Sequence, residues 1–132
     1  MRTSKIVLCV DDDEDDRYLL REALEFLAPD LCIVEATNGT EALTYLKSQE
    51  RMHLPCLVIL DINMPYLSGR QTIERIQLDK HLCHLNVVVF TSSENPSDRR
   101  FFTEKGVNLF IKPFDTTQLQ CIVKGFINNS CI

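Results

Sequence analysis

No apolar run in this chain of 132 residues approaches the roughly 20 residues that a membrane-crossing helix requires. A secretory leader is missing too: only Ile6 to Val10 are continuously apolar after Met1-Arg2-Thr3-Ser4-Lys5, and a dense acidic cluster follows at once. Basic clusters are absent and the net charge is −5, which offers nothing to a nucleic-acid backbone and argues against direct DNA binding. The six cysteines, Cys9, Cys32, Cys56, Cys83, Cys121 and Cys131, show no CxxC spacing. Lying mostly within or beside apolar runs, they read as small buried hydrophobes. His81, Cys83 and His84 have no matching second pair and read as a polar connection, not a zinc site. What remains is a cytoplasmic protein of ordinary composition, 45% hydrophobic and 25% charged, long enough for one domain with a core that needs no staple.

What the chain does contain is a set of apolar runs that end on polar residues. Leu57-Val58-Ile59-Leu60 runs without alternation into Asp61, as a strand buried on both faces would, and Pro65 helps end regular pairing soon afterwards. Ile6 to Val10 is a second such strand, followed by the six acids Asp11 to Asp16. Asp13 can cap a helix whose first turn holds Glu14, Asp15 and Asp16, where the macrodipole favours anions; that leaves Asp11 and Asp12 unexplained. Residues 31–36 read as a short strand, 86–90 as a β-branched strand stopping at Thr91-Ser92-Ser93, and 107–111 as a strand ending at Lys112-Pro113.

Helical periodicity and cap signals place five helices at about 14–27, 39–49, 69–79, 96–105 and 116–127, with a short tail from Asn128. Strands alternating with helices specify an open, parallel, doubly wound α/β sheet, in which sites lie at the carboxyl ends of the strands. Asp11, Asp12, Asp61, Thr91 and Lys112 all fall at such ends. Three carboxylates in one cleft raise one another's pKa unless a cation joins them, and an oxygen-only ligand set favours Mg²⁺. With the ammonium of Lys112 and the hydroxyl of Thr91 added, the group describes a phosphoryl site. A calcium loop fits poorly, since Asp16 stands where that loop requires glycine and a strand precedes it. A phosphatase of the haloacid-dehalogenase type fails on Asp15 in the last position of its signature, and a flavodoxin on the acidic loop where a flavin phosphate demands glycines and hydroxyls.

In these motifs, their order and their intervals, the sequence resembles the receiver domain of two-component response regulators over nearly its whole length. The carriers are Asp11-Asp12, Asp61-Ile62-Asn63-Met64-Pro65 through Gly69, Thr91-Ser92, and Lys112-Pro113-Phe114. The resemblance implies a single domain over residues 1–132, core about 4–127, with no output domain, and a flavodoxin-like (CheY-like) strand order 2-1-3-4-5. It implies that Asp61 accepts a phosphoryl group from a histidine kinase or a phosphotransfer protein. Mg²⁺ would be held by Asp12, Asp61, the main-chain carbonyl of Asn63 and, through water, Asp11. Lys112 would pair with phosphoryl oxygens, Thr91 would reach one of them after transfer, and the Lys112–Pro113 bond would be cis. An unidentified downstream protein would read the change, with the chain a monomer or weak homodimer away from membranes. The alternative is a degenerate receiver that binds proteins without phosphorylation. One position departs from the family: receivers commonly carry Tyr or Phe three residues before the strand-five lysine, and here that residue is Leu109. Phe110 is expected in the core, and the output face is expected at Thr91, Ser92, the loop to Asp98, the fourth helix and Leu109.

Overall fold

A computed structural model describes residues 4–131. Five parallel strands form one sheet in the order β2-β1-β3-β4-β5, where β1 is Ile6–Val10, β2 Cys32–Ala36, β3 Leu57–Leu60, β4 Val87–Thr91 and β5 Asn108–Ile111. The helices between and after them are α1 (Glu14–Leu27), α2 (Gly39–Ser48), α3 (Gly69–Leu78), α4 (Pro96–Glu104) and α5 (Thr116–Ser130). This is the expected doubly wound fold. A short 3₁₀ turn over Arg51–His53 is an addition to that pattern, since three residues are too few to show a period.

Each helix begins on a side-chain cap. Asp13, Asn38, Ser68, Asn95 and Asp115 accept from the backbone N–H groups of Asp16, Glu41, Gln71, Ser97 and Gln118 respectively. Ser68 and Gln71 bond each other's backbone in a full capping box. Each such cap contributes about 1 kcal/mol and fixes where the chain leaves the loop, and therefore how far the helix stands from the strand end before it.

The side chains of the strands alternate between two apolar clusters. Leu8, Val10, Val58, Leu60 and Val89 join Leu43 and Leu46 of α2, Ile73 and Ile76 of α3 and Phe102 of α4 on one face. Val7, Cys9, Leu57, Ile59, Val88 and Phe90 join Leu20 and Leu24 of α1 with Val123 and Phe126 of α5 on the other. Strands covered on both faces have no polar side to show, hence the unbroken apolar runs. Cys9 lies in the second cluster, and burial pushes its thiol up to about 12. On β5, Leu109 packs against the first cluster and Phe110 against the second, where the Phe110 ring meets the edge of Phe126 at 5.0 Å.

The reading of the cysteines is corrected by the structure. Only Cys9, Cys56 and Cys131 are buried; Cys32 on the edge strand, Cys83 in the α3–β4 turn and Cys121 on α5 are exposed. Cys56 and Cys131 form a disulfide, with Cα atoms 5.5 Å apart and a separation of 75 in sequence. The last helix is accordingly longer than its periodicity suggested: α5 continues to Ser130, and Cys131 is inside.

Candidate active site

The residues singled out at strand ends are held there by the sheet's own hydrogen bonding, which continues one residue past each strand. Asp11 N–H donates to the Ala36 carbonyl at 3.1 Å, Asp61 N–H to Val10 at 3.0 Å, and Lys112 N–H to Thr91 at 2.8 Å. Backbone ladders are stiffer than loops, so these side chains start from fixed points on the rim.

Their carboxylates converge. Asp11, Asp12 and Asp61 each offer an oxygen within 4.8 Å of the others, with Asp11 and Asp61 buried and Asp12 exposed. Lys112 reaches into the group: its Nζ donates to Asp11 Oδ2 at 2.6 Å, Asp16 Oδ2 at 2.8 Å and, longer, Asp61 Oδ2 at 3.4 Å. Asp11 Oδ1 accepts from the Asp13 N–H, and Asp61 Oδ1 from the Ile62 N–H at 2.8 Å. Burial raises the Asp11 carboxyl above its ordinary range, against the hydrogen bonds from Lys112 and the Asp13 backbone. For Lys112 burial pulls downward, but the bonds to Asp11 and Asp16 outweigh it, and its ammonium is held more firmly than usual. One ammonium shared among three carboxylates leaves surplus negative charge in a half-enclosed cleft with oxygen donors only. That donor set fits a hard divalent cation.

The loop after Asp61 is folded back tightly. Leu67 N–H donates to the Pro65 carbonyl at 2.7 Å across Tyr66, which has φ 67° and is 87% exposed. Gly69 N–H then donates to Ile62 at 2.8 Å, and Gly39 N–H to Leu67 at 3.3 Å, tying the starts of α3 and α2 to this loop. A Cβ on Gly69 would stand 2.5 Å from the Asp61 carbonyl oxygen, so only glycine lets α3 approach this closely. Asn63 is exposed in the same loop.

Thr91 is fully buried, and its Oγ1 accepts from the Ser93 N–H at 3.2 Å, whereas Ser92 is exposed. Ser93 Oγ donates to Asp98 Oδ2 at 2.6 Å, while Arg70 of α3 donates from Nε and Nη2 to Asp98 Oδ1 and lies 4.8 Å from the centroid of the Phe101 ring. The Ser93 hydroxyl first, then Arg70, holds the Asp98 carboxyl below its usual range. The β4–α4 loop is thereby latched to α3. Lys112–Pro113 is trans, not cis as the resemblance implied, and no peptide bond among the described residues is cis.

Two contributors escaped sequence reasoning. Asp16 was counted only for the helix dipole, yet Cα–Cβ bonds tilt toward a helix's N-terminus, which here carries its carboxylate back over the strand ends. Arg70 gave no local signal at all, because its partners lie 27 and 28 residues on.

The family model of the response regulator receiver domain matches residues 7–124. Response regulator Rre1 of Synechocystis sp. is 35% identical over 92% of this chain and 51% of its own length. Response regulator Rcp1 of the same organism is 31% identical over 81% of this chain and 75% of its own. Sensor histidine kinase CheAY of Helicobacter pylori is 32% identical over 92% of this chain, which spans only 15% of that protein. Among solved structures, the phosphorylated cyanobacterial phytochrome response regulator RcpA superposes with TM-score 0.84 at 32% identity, covering 96% of this chain and 93% of that one. The Mn²⁺-bound form of Rcp1 gives TM-score 0.80 at 28% identity, covering 93% and 91%. Sheet order, rim carboxylates, lysine and relatives agree, and the chain belongs to the response regulator receiver domain family.

Proposed function

We propose that Asp61 accepts a phosphoryl group from a phosphohistidine on a histidine kinase or phosphotransfer protein, and that the aspartyl phosphate alters the face presented to a downstream protein. The observation that carries this reading is the convergence of Asp11, Asp12 and Asp61 with Lys112 at adjoining strand ends. In the transfer, an O–P bond forms to the Asp61 carboxylate as the N–P bond to the donor imidazole breaks. The protein supplies position and charge, which is most of what phosphoryl transfer asks. Asp61 Oδ1 is held by Ile62, which fixes the plane of the carboxylate, while Oδ2 faces Lys112. Lys112 stands ready to pair with phosphoryl oxygens. The Thr91 hydroxyl, accepting only one bond from Ser93 N–H, retains a proton to donate to the phosphoryl group.

Asp12, Asp61 and the Asn63 main-chain carbonyl, with Asp11 through water, would hold the divalent cation, which we take to be Mg²⁺. Bound there, it neutralises charge on the phosphoryl oxygens. Thr91 and the latched Ser92-to-Asp98 segment, with α4 packed against Leu109, form the proposed output face. No helix among the described residues is long and apolar enough to cross a membrane.

The test is intact-mass measurement after incubation with acetyl phosphate and Mg²⁺. Wild type should gain one phosphoryl group and Asp61→Asn none. Equal uptake by the variant, or no uptake by wild type from several donors, would remove Asp61 from this role and leave the phosphorylation-independent binding module.

A further inference from the structure

Cys56 stands immediately before β3 and Cys131 immediately after α5, so their disulfide fastens the last turn of α5 to the start of the central strand. This is the end of β3 opposite Asp61. The core has no need of the bond: both faces of the sheet are closed by continuous apolar clusters, and a chain of this length buries enough surface without one. The remaining cysteines are thiols, and Cys32, Cys83 and Cys121 are exposed. Accessible thiols persist beside a disulfide where reductants are at hand, and there a disulfide is open to exchange.

A cavity of about 530 Å³ opens beside the bond, walled by Cys56 together with Arg51, His81, His84 and Asn86. Its volume is that of a small-molecule site. His81 Nε2 lies 2.7 Å from the Gln49 carbonyl, an acceptor, which places the ring proton on Nε2 and fixes the ring. The Arg51 guanidinium gives this wall donors suited to carboxylates. Cys56 lines the cavity and Cys131 does not.

We propose that Cys56–Cys131 and this cavity form a thiol–disulfide exchange site for a small carboxylate-bearing thiol. The incoming thiolate attacks the Cys56 sulfur. A new S–S bond forms there as the bond to Cys131 breaks, and Cys131 leaves as a thiolate that takes a proton from solvent. A second thiol molecule attacks the mixed disulfide, departs joined to the first, and releases Cys56 as a thiol. Two electrons and two protons thus pass to the protein, and two thiols become one external disulfide. The last turn of α5 is then held by the hydrogen bond of Asn86 to Ser130, the Cys131 N–H to Ile127 bond at 2.9 Å and side-chain packing. Asp61 lies at the far end of the same strand, so phosphoryl acceptance is expected to continue unchanged, and the two readings stand or fall separately.

The experiment counts N-ethylmaleimide labels by intact mass on the folded protein prepared without reductant, with reduced glutathione as the probe. Three labels are expected before glutathione, on Cys32, Cys83 and Cys121, and a fourth after it, on Cys56 at the cavity wall, with Cys9 and Cys131 staying shielded. With oxidised glutathione as the donor, Cys131→Ser should form a mixed disulfide mapped to Cys56 as the other glutathione leaves as a thiol, whereas Cys56→Ser should carry none on Cys131. Arg51→Ala should slow glutathione about tenfold, to the rate of a neutral thiol at equal thiolate concentration. The proposal is overturned if wild type stays at three labels until denaturant unfolds it, if the adduct maps to Cys131, or if neutral and carboxylate-bearing thiols react equally fast.

Discussion

Gly69→Ala adds a single methyl group where the structure has no room for one. The new Cβ would meet the Asp61 carbonyl oxygen at 2.5 Å, the Ile62 Cα at 2.7 Å and the Asp61 carbonyl carbon at 3.2 Å, against ordinary contacts of 3.4–4 Å. All three neighbours are backbone at the end of β3, so no flexible side chain can move aside. The first turn of α3 must retreat by about 1 Å, and overpacking of this kind costs roughly 1–3 kcal/mol. Loss of the Gly69 N–H bond to Ile62 would add about 1 kcal/mol, while the smaller backbone entropy of alanine returns about 0.5–1 kcal/mol. The net is a destabilisation of about 2 kcal/mol, or a melting temperature lower by roughly 6–10 °C for a domain of this size. Because two of the three crowded atoms belong to Asp61 itself, and misplacement by about 1 Å can cost on the order of 100-fold in rate, phosphoryl acceptance should fall far more than stability alone explains. Gly125→Ala is the matched control. Its Cβ would meet nothing within 4 Å, it lies inside α5, and it should gain up to about 1 kcal/mol with no change in acceptance. Thermal melts together with the acetyl phosphate uptake rate decide the matter. Equal melting of the two variants, or wild-type uptake by Gly69→Ala, would refute the claim that α3 sets the position of Asp61.

The depressed carboxyls give the acid limb of stability. Asp98, held low by the Ser93 hydroxyl and Arg70, adds stability that is present above pH about 4 and drains as pH falls through its lowered value. Glu35 behaves likewise, since hydrogen bonds from Arg21 and Arg17 overcome its burial. Urea midpoints for Asp98→Asn should therefore vary less between pH 7 and pH 3 than those of wild type, and identical profiles would dismiss the latch as a stabilising element. Lys112→Met removes the ammonium shared by Asp11, Asp16 and Asp61, so Mg²⁺ should bind more tightly by calorimetry while phosphoryl uptake slows; weaker binding would contradict the charge balance described for the cleft. Hydrogen exchange with a phosphoryl mimic on Asp61 should change most over residues 91–111 in wild type and in Leu109→Tyr, and changes confined to α1 or α2 would displace the output face.

Much of this was legible in the sequence because doubly buried strands write themselves as apolar runs, and because Asp13, Asn38 and Gly106 punctuate helices by local chemistry. The strand-end residues were legible for the same reason: an apolar run that stops on Asp61 or Lys112 marks the rim of the sheet. What stayed hidden depends on distant partners. The last turn of α5 is polar, Asn128-Asn129-Ser130, and is kept helical and docked by Cys56 and Asn86, residues that no window around position 130 contains. Arg70 and Asp98 face each other only because α3 and α4 lie on the same side of the sheet.

That separation of the interior has a consequence for how this receiver can diverge. The sheet backbone is a partition between two apolar compartments, one closed by α2, α3 and α4 and the other by α1 and α5, and neighbouring residues such as Leu109 and Phe110 serve different ones. Substitutions in separate compartments share no packing partner, so their energetic effects should add, as they do for independent sites. Leu46→Ala and Phe126→Ala combined should cost the sum of the two. A lineage could then rebuild the surface over one compartment to suit a new protein partner while the helices over the other keep their shape, with the strand-end site between them held by main-chain bonds that neither change touches.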